Sequence, residues 1–112
     1  MSETLRLALP LLAAAQAQKH VTHNEALLTL DALSQPVVQS RDLTAPPAAN
    51  EGELYLVAPG ATGDWAGRDG ELAEWRNGAW AFHVPFEGLT IHVLAEGLEL
   101  KYLSGTWRDM DG

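Results

Sequence analysis

The chain has 112 residues, seven Lys and Arg against fifteen Asp and Glu, a formal net charge of -8 and no cysteine. That length holds one compact domain or two small units, not a large multidomain enzyme. The charge argues against a direct grip on nucleic acid or anionic lipid, and without cysteine there is neither a disulfide nor thiolate chemistry.

Every one of the ten glycines lies at Gly52 or later, and every Trp, Tyr and Phe at Tyr55 or later. This partition predicts an α+β chain: a short N-terminal helical segment followed by a small antiparallel β-sheet domain built of hairpins. Residues 1–35 read as an arm and capped helix for assembly, 36–51 as a short strand and Pro-rich connector, and 52–112 as the aromatic β domain. The N-terminus is a poor secretory signal, because Glu3 precedes Arg6 and Pro10 interrupts a short apolar run. No stretch reaches the roughly 20 apolar residues that span a bilayer, so a soluble protein without membrane insertion is expected.

Leu5, Leu7 and Leu9 alternate with Arg6 and Ala8, which predicts an extended arm, and Pro10 then suits the first turn of a short helix. The clearest helix runs from about His23 to Ser34. Thr22 and Glu25 form a Ser/Thr-x-x-Glu capping box, while Leu27, Leu30 and Leu33 lie on one apolar face and Pro36 stops the run. Three turns are marginal alone, so these leucines are expected to be oligomer contacts. Val37 to Gln39 reads as a short strand, and Pro46-Pro47 as a stiff boundary between units.

Beyond Gly52 short strands alternate with glycine turns. They are expected at 53–58, on both sides of Asn77-Gly78, at Leu89–Val93, at Leu98–Leu103 and around Trp107, making five or six antiparallel strands. Gly70–Trp80 aligns without gaps on Gly97–Trp107 at an offset of 27. The shared pattern is a strand ending in an aromatic, a tight turn and a return strand opened by tryptophan. A third, degraded copy is expected from Gly52 to Trp65. The last strand is expected to be short, or the chain to continue past Gly112.

Chemistry-bearing clusters are sparse. His20 and His23 lack a third ligand at zinc spacing, so no metal or cofactor is expected. His83 and His92 read as solvent-facing strand residues. Asp64, Asp69, Glu71 and Glu74 would be the acids of a small hydrolase, an alternative that needs a sugar-sized cleft; no enzyme is expected. The tryptophans leave three readings open: core, subunit interface or sugar-stacking platform. Trp65, flanked by glycines, is expected at an exposed loop. Trp65, Trp107 and Tyr102 are the candidate glycan or interface contacts.

The run Gln16-Ala17-Gln18-Lys19-His20-Val21-Thr22-His23-Asn24-Glu25-Ala26-Leu27 resembles the opening of an uncharacterised domain of alphaproteobacterial phage and prophage proteins, similar to modules of gene transfer agents. Gly52–Val57, Ala61–Gly67, Trp75, Gly78–Phe82 and Pro85–Gly88 continue the likeness. The resemblance implies a spike or tail-fibre component at the surface of a phage-like particle, made in the bacterial cytoplasm. Its implied partners are copies of itself, as a trimer, other spike or tail proteins, and host surface polysaccharide. It implies no catalytic residues. A carbohydrate-binding module remains the first alternative.

Overall fold

The computed structural model describes Arg6 and residues 18–110, with side chains given for Arg6 and from Ala26 onward. The chain divides into two units, at Ser34 and Gln35. The first carries helix α1, Gln18–Leu33. It begins five residues before the expected start, so Thr22 lies inside the helix and is not its N-cap. Gln18, Lys19 and His20 contain no breaker, and each added helical residue gains a hydrogen bond, so propagation wins over a local cap. At the other end Arg6 acts as the cap. Its Nη1 donates to the carbonyls of Asp31 (2.7 Å), Ala32 (3.3 Å) and Ser34 (2.6 Å), groups that helix termini leave unpaired. The arm expected over 5–9 and the turn after Pro10 otherwise lie outside the described residues.

The second unit is a seven-stranded sheet: β1 Val37–Val38, β2 Leu54–Leu56, β3 Leu72–Arg76, β4 Ala79–His83, β5 Thr90–Val93, β6 Leu98–Leu103 and β7 Thr106–Asp109, in the order β4-β3-β2-β1-β5-β6-β7. Helix and sheet are broadly α+β, but the sheet is mixed, which corrects the purely antiparallel expectation. β1 runs parallel to both β2 and β5, with Val38 opposite Leu54 on one side and Val93 on the other. Val38 is fully buried. A two-residue segment carries little periodicity, and parallel pairing depends on partners distant in sequence; neither is visible locally. Residues 36–51 therefore lie within the sheet unit. Their Leu43 and Ala49 pack on its core, and the Pro46 ring lies 3.4 Å from where a Cβ on Gly63 would stand.

The repeat is larger than the hairpin. Asn77-Gly78 and Ser104-Gly105 both adopt paired positive φ, and both turns join strands whose flanking rings meet at 5.1 Å. In the first copy Glu51 accepts from the Asn77 N–H and Gly52 donates to the Trp75 carbonyl. In the second Glu87 accepts from the Ser104 N–H and Gly88 donates to the Tyr102 carbonyl. Each copy is thus a three-stranded meander opened by Glu-Gly, β2-β3-β4 and β5-β6-β7. The expected third copy does not exist: Gly52–Leu56 opens the first meander, and Trp65 belongs to a 3₁₀ turn, Gly63–Trp65, in the long β2–β3 connection.

Because β1 is parallel to both neighbours, the meanders are related by a half-turn about its direction, and equivalent residues face opposite sides. Val38, Leu54, Leu56, Leu72, Ile91, Val93 and Leu100 form one buried face. Tyr55, Val57, Ala73 and Trp65 form the other core, with Trp80 and Phe82 packed against it.

Candidate functional site

The residues singled out from sequence separate in space. Trp65 is fully buried, against Tyr55 and Trp80 at ring distances of 5.9 and 5.2 Å. This corrects its expected loop exposure: the glycines around it shape the 3₁₀ turn that folds the indole inward, with Gly63 and Gly67 at positive φ. It is not a glycan contact. Tyr102 and Trp107 remain half-buried and stay together as the ring pair of the β6–β7 hairpin.

Trp107 lines a concavity of the sheet unit. Its Nε1–H donates to the Gly70 carbonyl at 2.9 Å, which brings edge strand β7 to the start of β3. Between them lies a half-open cavity of about 390 Å³, walled by Leu56, Pro59, Leu100 and Trp107 and bordered by Arg41. The volume falls within the range of small-ligand sites. Arg41 donates from Nε and Nη2 to both oxygens of Glu96, each at 2.8 Å. That fork, above all its hydrogen bonds, holds the Glu96 carboxyl below its ordinary range and the guanidinium above its own. The site therefore offers a rigid indole and an apolar wall with a neutralised cation at the rim.

A second polar cluster was not expected. Glu74 Oε1 accepts from Arg76 Nη2 at 2.6 Å and from His83 Nε2 at 2.8 Å, and all three side chains are about a tenth exposed or less. A carboxylate only accepts, so Nε2 of His83 carries a proton. This corrects the solvent-facing reading of His83. Alternation put it correctly on the face away from Trp80 and Phe82, but that face is buried as well. His92 is more than a third exposed and lies 3.6 Å from Glu99.

A family model described as a protein of unknown function (DUF2793) matches residues 23–108. The chain belongs to this family. No curated protein matches it. The DUF2793 stretch takes in most of α1, both meanders and the cavity, and ends one residue before β7 does. Its description assigns no chemistry to any residue, so roles rest on geometry alone.

Of the four acids expected for a hydrolase, Asp69, Glu71 and Glu74 make structural contacts. Asp69 accepts from the N–H groups of Gly60 (3.0 Å) and Ala61 (3.1 Å), which hold its carboxyl below the usual range and fasten the β2–β3 connection. Glu71 pairs with Arg68 at 3.5 Å, and Glu74 is taken up by the buried cluster. Asp64 is exposed on the 3₁₀ turn. The side chains of His20 and His23 lie outside those described. Among the described residues no group of three or more His, Cys, Asp or Glu could hold a metal, and no helix is long and apolar enough to cross a membrane.

Of the leucines, Leu30 is 55% exposed, while Leu27 and Leu33 are half-buried. The sequence does not show Arg41 and Gly70 as cavity components, nor Glu96 as the partner of Arg41, because the three come from separate connections.

Proposed function

We propose that this chain is a structural component of a phage-like particle, a gene transfer agent or phage spike or tail fibre, acting in fibre assembly and host-surface attachment through homo-oligomerisation. The observation that carries the reading is Leu30, an aliphatic side chain left more than half exposed on a helix whose C-terminal carbonyls are already tied down by Arg6. A short helix gains most of its stability from burying an apolar face, and copies of itself around a threefold axis would supply that burial. The likeness of Gln16–Leu27 to phage and gene transfer agent modules supports the same role.

Sedimentation equilibrium at tens of micromolar tests this. The wild-type chain is expected to self-associate, and Leu30→Ser to weaken association at least tenfold, since each leucine taken from water contributes about 1.5–3 kcal/mol. A wild-type chain that stays monomeric with its helix intact would overturn the reading.

A second reading is favoured by the cavity: the chain recognises a capsule or cell-wall glycan at Trp107. A fixed indole beside an apolar wall suits the C–H face of a sugar ring. Titration with host capsule or lipopolysaccharide should change the tryptophan fluorescence of the wild type, and Trp107→Phe should remove most of the change. An equal response from the variant would place binding elsewhere, and no response from either would end this reading.

A further inference from the structure

The two meanders differ in what stands beside their ring pairs. At the offset of 27, Ala73 corresponds to Leu100, Trp75 to Tyr102 and Trp80 to Trp107. In the first copy a third ring is present: the Trp65 indole meets Trp80 edge-on at 5.2 Å and shares a core with Ala73. The long β2–β3 connection delivers it. In the second copy β5 and β6 are joined by residues 94–97, which include no aromatic residue. Leu100 and Trp107 instead wall the cavity of about 390 Å³. The duplication thus points to the shape the cavity accepts, a ring set against an indole as Trp65 is against Trp80.

The lining sets the chemistry of that ring. The Trp107 Nε1–H is spent on the Gly70 carbonyl, so the indole offers its faces and carbon edges. Thr106 Oγ1 gives its proton to the Leu103 carbonyl at 3.2 Å and keeps a lone pair with which to accept another. Arg41 spends Nε and Nη2 on Glu96 and has Nη1 donors besides. A donor and an acceptor over apolar walls match a hydroxylated ring, whose O–H groups both give and accept, better than an aromatic side chain. Charge narrows the class further. Asp42 and Asp109 act electrostatically on the same guanidinium that Glu96 holds, so three carboxylates attend one cation and the rim repels a further anion. A carboxylate brought against Leu56, Pro59 and Leu100 would also lose its water, a cost that an already engaged Arg41 does not offset.

We propose that the cavity selects an uncharged pyranose residue and rejects uronate, sialate and phosphorylated sugars. Glu96 is the positioning residue of this selectivity: it lies outside the lining and acts by holding Arg41. The proposal deepens the glycan reading of Trp107, on which it rests.

A glycan array carrying neutral, uronate, sialate and phosphorylated sugars tests both and keeps their failures apart. The wild-type chain should bind neutral members. The strongest neutral oligosaccharide is then titrated beside the same oligosaccharide oxidised at C6 to the uronate, with tryptophan fluorescence as the readout at low salt. The uronate should bind at least about fivefold more weakly, a difference that added salt reduces. Glu96→Gln removes one of the three carboxylates and weakens the fork, and should bring the ratio to within about twofold. Trp107→Phe should weaken binding of both sugars. Acidic sugars bound as tightly as neutral ones, with the binding lost in Trp107→Phe, would overturn the selectivity and leave the glycan reading standing. A ratio unchanged in Glu96→Gln, with an unchanged circular dichroism spectrum, would overturn the role of Glu96. No binding to any member, or binding indifferent to Trp107→Phe, would end the glycan reading and this proposal with it.

Discussion

Trp65→Ala is expected to lower the stability of the sheet unit by about 3–5 kcal/mol, the usual cost of emptying a buried tryptophan site. The indole is fully buried and forms the hub of a ring cluster, tilted against Tyr55 and edge-on to Trp80, which itself meets Trp75 edge-on at 5.1 Å. Val57 and Ala73 complete the same core, with Leu43 and Phe82 packed against it. In a unit of this size each kcal/mol moves the melting temperature by about 4–8 °C, and the variant should melt at least 12 °C lower. Trp65→Phe separates volume from polarity. The Nε1–H of Trp65 makes no hydrogen bond among the described residues, so exchanging the indole for a phenyl ring removes a buried unsatisfied donor along with some contact area. Its loss is expected to be less than half that of Trp65→Ala. Equal losses, measured by urea unfolding with unchanged slope, would contradict the packing assigned to this residue.

Glu74→Ala should cost about 3 kcal/mol, near the lower end for breaking a buried ion pair, because Arg76 has a further partner. Removing the carboxylate leaves a guanidinium and an imidazole with little access to water: their side chains are 11% and 8% exposed. Glu74→Gln keeps one carbonyl acceptor of nearly the same shape but loses the charge, and about 1–2 kcal/mol is expected for the weakened hydrogen bonds. A double-mutant cycle of Glu74→Gln with His83→Gln checks the arrangement, since residues sharing one network should show losses that do not add. Additive losses would mean that the 2.8 Å contact contributes nothing to the folded state.

At both sites the local pattern is legible in the sequence and its surroundings are not. The Asn77-Gly78 and Ser104-Gly105 turns were legible because positive φ at two successive residues is rare chemistry, and Asn-Gly or Ser-Gly announces it within two positions. The repeat was legible for the same reason, since its glycines and rings sit at fixed spacing. Its opening Glu-Gly does not align with the rest because its offset is 36 rather than 27, the β2–β3 connection being the longer one. The helix was legible in kind and misplaced in origin. A capping box is a permissive signal, and Gln18 to Val21 propagate a helix as readily as Thr22 begins one.

Alternation along a strand determines which residues share a face, and it placed His83 opposite Trp80 and Phe82 correctly. It says nothing about whether that face is covered, and here both sides of β3 are buried at Leu72, Ala73 and Glu74. Glycines around Trp65 announced a tight turn without announcing its direction.

From the sequence alone came the acidic charge, the hairpins, their turn geometry, the duplicated ring pair and the presence of one helix before them. Each rests on interactions between residues a few positions apart. The tertiary structure decided that Val37–Val38 stands between the two meanders, that its parallel pairing turns equivalent rings to opposite faces, and that Trp107 meets Gly70 over a cavity bordered by Arg41. Those contacts join segments 16 to 55 residues apart. Their stability comes from burial on both sides of a sheet that exists only once all of them are made. The aromatic half was therefore readable as two hairpins, but which rings would be core and which would face a cavity depended on the strand inserted between them.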